Sequence, residues 1–331
     1  MKKLITVLIV MLAFMVFFSG QSEGVRIHEE RVTVGTGQFY SFASSSSGGT
    51  WFTMAGGAVA LFNENLDGAR FSVEATGGSV ENVRRTARRE SDFGLAYSSH
   101  IYEIVRGIGL YEGEQSYNLR VIAEVFESPH KFVTLQNSGI LTLSDLEGQV
   151  VSLGAAGSGT SDNSRRTFAT LGINVIPVEM SFADQARALQ DGRIAAFGQG
   201  GAPAAGIVEL LVSNELHFIP FSEEELEIMV TGAPYFEAGE LPAYTYERQS
   251  YAIPTFTFKV YWVTHKDTPD EVVYQALRLA HSREGLEYLN TVHRQWATLT
   301  YASAEGLELM GTTVHPGALR YWEQYWNQRQ Q

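Results

Sequence analysis

Two short loops carry most of the residues in this chain that could hold a ligand. Thr76-Gly77-Gly78-Ser79-Val80-Glu81-Asn82 and Gly154-Ala155-Ala156-Gly157-Ser158-Gly159-Thr160-Ser161 each end an apolar run and open a polar stretch with helical spacing. The start of a helix leaves backbone N–H groups without intrahelical acceptors and carries partial positive charge. Glycine lets a ligand approach that backbone, and Ser and Thr hydroxyls add donors. Two such starts, about eighty residues apart, can grip a small anion from two sides. Either loop alone reads equally well as an ordinary strand–turn–helix joint capped by serine.

Signatures of bond-making chemistry are missing from the sequence. It has no Gly-x-Ser-x-Gly elbow, no Lys after a glycine loop and no His-Glu-x-x-His. The eight histidines are scattered, and even the closest pair, His281 and His293, is too far apart for one helix face. His130 stands out only because it sits at the break between the two halves of the chain. Ser79 and Ser158 have no base or orienting acid nearby in sequence, so they read as donors and not as nucleophiles. Arg165 and Arg166, well into the second helix, read as solvent-facing. With no cysteine, Cys-based metal or nucleophile chemistry is excluded. A binding protein without catalytic residues, metal or cofactor is therefore expected, its site segments rich in Ser, Thr, Gly and aromatic residues.

The N-terminus reads Met1-Lys2-Lys3, then an almost wholly apolar Leu4–Phe18, then small and polar residues to Gly24. That is the pattern of an export signal over 1–24, too short and wrongly flanked for a membrane anchor. Its removal takes basic residues from 24 to 22 and acidic from 37 to 36, so the net charge moves from −13 to −14. Nucleic acid and anionic membrane are poor partners for such a surface, and an anionic ligand must be bound by local geometry against the global field. About 300 remaining residues are enough for a proper core without disulfides.

Strands and helices alternate along the chain, which predicts an α/β sheet with crossover helices. Residues 38–43 read as a strand, Thr50–Phe62 as a helix, 71–75 as a strand running into the first loop, and 92–97 as another strand. A second unit follows, with strands at 150–153, 175–178 and 194–197 and a third glycine joint at Gly198-Gln199-Gly200-Gly201-Ala202-Pro203. Pro316 opens a last helix whose Leu319, Trp322 and Trp326 form a core-facing stripe. The Glu-, Tyr- and Pro-rich stretch 223–254 has no clear pattern.

Taken in order, these segments resemble the TAXI branch (TRAP-associated extracytoplasmic immunogenic proteins) of the substrate-binding proteins of TRAP transporters. The likeness is carried by Ser47-Gly48-Gly49-Thr50-Trp51-Phe52 with Gly56-Gly57, by the first loop, and by Ser91-Asp92-Phe93-Gly94-Leu95-Ala96. Ser138-Gly139-Ile140, Leu143–Gly148, Gly154–Thr160, Ser181-Phe182-Ala183, Asp191-Gly192 and His315-Pro316-Gly317-Ala318 complete it, so it spans residues 38–325. The resemblance implies a two-lobed α/β periplasmic binding protein, type II-like, with the ligand cleft between lobes. It places one lobe in 25–126, the other in 127–255, and a return to the first in 256–331. It implies capture of a small organic acid, glutamate-like or dicarboxylate, and delivery to a TRAP-type permease. A sensing subunit for a membrane kinase and an enzyme on the same fold are the alternatives. Carried over by position, Ser46, Ser47, Thr50, Trp51, Gly78, Ser79, Tyr97 and Ser98 come from the first lobe. Ser158, Gly159, Thr160, Gly201 and Pro203 come from the second.

Departures from the family pattern bear on the ligand. The usual pair of tyrosines is Trp51-Phe52, and the usual Gln-Ser-Asp is Tyr97-Ser98-Ser99. The acid that would pair with an ammonium is thus missing at Ser99, which favours a carboxylate without an α-amine. Trp51, Phe52 and Tyr97 offer apolar walls or, in the rival reading, an aromatic cage for a cation. Gly35-Thr36-Gly37 allows an extra N-terminal strand or a shifted register.

Overall fold

A computed structural model describes residues 25–27 and 31–330, so the expected export signal at 1–24 lies outside the described residues. The chain starts with β1 (Val32–Ala43), in which Phe39 is exposed while Tyr40 and Phe42 are buried, the period-two pattern of a half-buried strand. Gly35-Thr36-Gly37 forms no separate strand. The segment lies in a break of register within β1, between the pairs at Thr33 and Gln38, with Gly37 at φ +80.

Two sheets organise the molecule. In the first, β2 (Leu66–Glu74) and β3 (Phe93–Tyr97) run parallel on either side of β1. β4 (Leu119–Pro129) and β10 (Glu237–Leu241) join through the long antiparallel β11 (Ile253–His265), giving the order β10-β11-β3-β1-β2 with β4 also on β11. The second has the order β7-β6-β8-β5-β9, built from β5 (Lys131–Leu135), β6 (Val150–Ser152), β7 (Ile176–Val178), β8 (Ala196–Gln199) and β9 (Leu216–Ile219). The expected crossing points at 127 and 256 fall within β4 and β11, both strands of the first sheet, and β10 belongs to that sheet as well.

Each parallel strand feeds a helix at its C-terminal end. β1, β2 and β3 lead into α1 (Thr50–Asn65), α2 (Ser79–Ala87) and α3 (Ser98–Arg106). β6, β7 and β8 lead into α4 (Gly159–Leu171), α5 (Phe182–Gln190) and α6 (Ala205–Ser213). In α/β sheets ligands bind outside these strand ends. α7 (Glu223–Thr231) fills the stretch the sequence left without a pattern, held by a capping box between Ser222 and Glu225. α8 (Asp270–His281), α9 (Arg283–Val292), α10 (Ala304–Met310) and α11 (Pro316–Arg329) close the first lobe. Among the described residues no helix is long and apolar enough to cross a membrane.

The first core is aromatic. Trp262 on β11 stacks on Phe42 at 5.8 Å and Phe62 at 5.9 Å, and meets Trp296 edge-on at 6.2 Å. The expected stripe on α11 is only partly inside: Trp322 is buried, but Leu319 and Trp326 are 37% and 39% exposed, and Ala318 and Tyr321 take the inner face. Because Trp262 is 0% exposed and ties β1, α1 and β11 together, Trp262→Ala is expected to cost about 3–5 kcal/mol. Urea unfolding should show the midpoint falling with the slope unchanged; a loss below about 1 kcal/mol would mean the cluster collapses around the gap.

Candidate functional site

Five helix starts converge on one cavity between the sheets. Thr50, Ser79, Gly159 and Phe182 are the first residues of α1, α2, α4 and α5, Tyr97 is the N-cap of α3, and all five line it. The positive ends of the helix dipoles therefore point into the same small volume. The caps of α1, α2 and α3 are Gly49, Gly78 and Tyr97, and none makes a side-chain cap bond. Apart from the Phe52 N–H of α1, which Ser45 Oγ accepts at 3.2 Å, their first-turn N–H groups are not consumed by a side chain and remain for a ligand.

The two Gly/Ser loops meet backbone to backbone across this cavity. A β-carbon at Gly77 would overlap the Ala156 carbonyl and lie 3.1 Å from Gly157. The Tyr97 ring slides between the other two glycine segments. A β-carbon at Gly159 would lie 2.5 Å from Tyr97 Cε2 and 2.7 Å from His100 Cε1, and one at Gly200 would lie 2.5 Å from the Tyr97 hydroxyl. Burial pushes the Tyr97 hydroxyl up to about 12, with Thr160 Oγ1 at 3.4 Å as its partner, so it is a neutral donor or acceptor. Trp51 stands edge-on to Tyr97 at 5.1 Å.

Behind Ser79 lies a buried network that local sequence could not show. Ser79 Oγ is 2.7 Å from His100 Nδ1, and His100 Nε2 is 3.1 Å from Asp162 Oδ2, so Ser79 does have a base and an acid. His100 is twenty-one residues away on α3 and Asp162 is on α4 of the other sheet, which is why the spacing along the chain gave no hint. Arg166 does not face solvent as expected: it holds Asp162 at 2.6 Å, Glu103 at 2.6 Å and the Tyr235 hydroxyl at 2.8 Å. Arg165 does lie outside, against Glu179. Burial works against the Asp162 carboxylate, but His100 and Arg166 hold it below the usual range. Burial raises Glu103, with Arg166 opposing.

An ionised Asp162 can only accept, so His100 Nε2 donates to it, while His100 Nδ1 and the Ser79 hydroxyl share the second hydrogen bond. Ser79 Oγ in turn accepts the Tyr97 N–H at 2.8 Å, and the residue is 1% exposed. The line resembles a nucleophile–base–acid relay. Here, however, the oxygen is occupied on both sides and turned inward, and what Ser79 has left for a ligand is its main-chain N–H.

Of the residues expected from sequence, the cavity brings together Thr50, Trp51, Gly78, Ser79, Tyr97, Ser158, Gly159, Thr160 and Gly201. Ser46, Ser47, Ser98 and Pro203 do not line it. The Ser46 hydroxyl is buried without a partner, Ser47 is exposed, and Ser98 faces a separate hollow with Tyr235 and Lys259. The Pro203 carbonyl is 3.2 Å from His293 Nε2. Phe52 is half-buried off the wall, and Phe182 supplies the second ring beside Trp51. Ser45, Gly77, Gln199 and Gly200 also line the cavity; all sit in or beside the glycine joints, the one signal that pointed to them. His130 is sealed in the core against Phe132 and Phe256, held at about 3 by burial and by Lys131, and does not line this cavity. Among the described residues no cluster of His, Asp and Glu is arranged to hold a metal.

A model of the NMT1-like family matches residues 42–324, nearly all of the described chain. The chain belongs to the NMT1-like family. Similar folds occur in a protein from Bordetella bronchiseptica RB50, 13% identical over 87% of this chain and 98% of that one, with a TM-score of 0.53. The periplasmic aliphatic sulphonate binding protein SsuA from Escherichia coli is 13% identical over 87% of each chain, with a TM-score of 0.45. The alkanesulfonate-binding protein SsuA from Xanthomonas axonopodis pv. citri, described as bound to MOPS, is 12% identical over 83% and 90%, with a TM-score of 0.49. At these identities the likeness concerns the fold alone, a mixed α/β architecture with two sheets.

In this NMT1-like protein the glycine at 159 is a steric requirement of the closed cavity. Gly159→Ala is expected to destabilise the observed arrangement by about 1–3 kcal/mol, the usual cost of overpacking. Small-angle scattering should then give a larger radius of gyration than for the unmodified protein. An unchanged radius and melting temperature would mean that Tyr97 moves aside at no cost.

Proposed function

We propose that this protein is an extracytoplasmic solute-binding protein that captures a small carboxylate and hands it to a TRAP-type membrane permease. The observation that carries the reading is the convergence of five helix starts on one small cavity whose lining contains no charged side chain. Neutral N–H donors and aligned dipoles suit carboxylate oxygens. A ligand carboxylate bridges the N–H groups at Ser79 on one sheet's helix and at Gly159–Thr160 on the other's. It thereby favours the closed state over an open one, and the closed surface is what the permease reads. The TAXI-like order of motifs supports the permease type, and the Lys2–Gly24 pattern supports export to the periplasm.

No carboxylate lines this cavity to pair with an α-amine. The nearest buried carboxylates, Asp162 and Glu103, are already engaged by Arg166 and His100. A keto, hydroxy or plain dicarboxylic acid fits the site better than an amino acid, with Trp51, Tyr97 and Phe182 beside its carbon chain. The site reads as one for holding a molecule, without a step of chemistry.

A thermal-shift screen of the purified protein with glutamate, 2-oxoglutarate, glutarate, methanesulfonate and choline tests this. A ligand at a hundred times its dissociation constant stabilises by about 2.7 kcal/mol, a shift of a few degrees. The shift is expected with 2-oxoglutarate or glutarate; one with glutamate alone would overturn the preference against an amine, and one with choline alone the anion reading. Thr160→Pro removes an N–H in the first turn of α4, where proline is tolerated, whereas Thr160→Val removes only the hydroxyl. The proline variant should bind the same anion more weakly than the valine variant by about 1–3 kcal/mol. Equal affinities in titration calorimetry would take that N–H out of the site.

A further inference from the structure

No charged side chain lines the cavity, yet a buried ammonium stands just behind its wall. Lys131 opens β5, lies in register with Gln199 of β8 and is 1% exposed. Its Nζ donates to the Gln199 carbonyl at 3.2 Å and to the Gly201 carbonyl. Gln199 and Gly201 both line the cavity, so the ammonium is bonded to the backbone of two residues of its wall. Arg166, the other buried cation of the site, is already balanced by Asp162 and Glu103. Lys131 has no such balance: among the described residues no carboxylate forms an ion pair with it, and two carbonyls do not neutralise a charge. A buried ammonium left in this state is costly unless a counter-charge arrives.

The groups around Lys131 do not supply one. Immediately before the strand His130 is neutral, and the Glu127 carboxylate at the end of β4 is taken by Lys259 at 2.9 Å. On α5, Asp184 is exposed and bonded to Ser181, and Arg187 is exposed. His217 of β9 is turned to the Leu141 carbonyl. Tyr246 and His293 pack on the Pro203–Ala204 turn, with Arg294 beside them, and Tyr97 lies across the cavity.

We propose that Lys131 is the counter-charge for the ligand, so that the site selects anions over uncharged isosteres and takes up a proton as the anion enters. The proposal rests on the anion reading above and adds the residue that enforces it. Burial alone brings the Lys131 ammonium down to about 7, so near neutral pH part of the unliganded protein lacks that proton. An anion in the cavity favours the charged form and raises the value. Below pH 7 the charge is already present and affinity is flat. Above it binding must draw a proton, and affinity falls towards tenfold per pH unit until the ligand-bound value is passed.

Titration calorimetry of the purified protein with glutarate, 2-oxoglutarate and methanesulfonate, and with uncharged glutaramide, reads all of this. The unmodified protein is expected to bind at least one anion, to reject glutaramide, and at pH 8 to give heats that depend on the buffer's ionisation enthalpy. Lys131→Met and Lys131→Gln should bind that anion about tenfold to a hundredfold more weakly, with no buffer dependence and a flat pH profile. The buffer dependence is read on the unmodified protein, so it holds even if both variants fail to fold. Anion binding with buffer-independent heats, or unweakened in a folded Lys131→Met, overturns the role of Lys131 and leaves the anion reading standing. An unmodified protein that binds none of the three anions overturns both.

Discussion

The separation between Gly77 and the Ala156–Gly157 backbone leaves no room for a β-carbon, and the rest of the site depends on that approach. Because the two loops can touch, α2 and α4 begin within reach of one small ligand although one follows a strand of the first sheet and the other a strand of the second. The Tyr97 ring occupies the space that side chains at positions 159 and 200 would need. It lines the cavity, and the Tyr97 main-chain N–H donates to Ser79 Oγ. Overlap of this kind is worth a few kcal/mol, comparable to a buried hydrogen bond, so glycine here is a matter of shape before it is one of backbone freedom.

Charge follows from that shape. Contact between the lobes carries Asp162 and Arg166 of α4 onto His100 and Glu103 of α3, forming a buried set in which each charge has an opposite. A carboxylate left unpaired there would repel an anionic ligand through a low-dielectric medium. With those charges paired, the field inside the cavity comes from helix ends and from the ammonium behind the wall. A chain with a formal charge of −13 can in this way offer a positive interior.

The two sheets are also joined by an aromatic seam. Phe132 of β5 meets Phe168 at 4.9 Å and Phe221 at 6.3 Å, Phe221 meets Phe256 of β11 edge-on at 5.5 Å, and Phe256 packs on Phe236 at 4.5 Å. His130 lies inside this seam, where the connection passes from β4 to β5, stacked on Phe256 at 5.1 Å. Its neutrality follows from that burial. A position that sequence order alone puts at the junction is thus part of the joint and not of the ligand site.

The sequence by itself determined the α/β alternation, the helix starts and the glycine joints, because these rest on local rules: period-two burial, capping and turn residues. Nine of the thirteen residues carried over by position from the family resemblance line the cavity. Tertiary structure alone decided which starts face one another, that Ser79 meets His100 and Asp162, that Arg166 turns inward, and that Lys131 stands behind Gln199 and Gly201. Each of those contacts joins residues from twenty-one to seventy positions apart or spans both sheets, apart from the one-turn pair Asp162–Arg166. Local spacing carries no information about such distances. They are fixed by how two sheets pack, a property of the whole buried surface and not of any one motif.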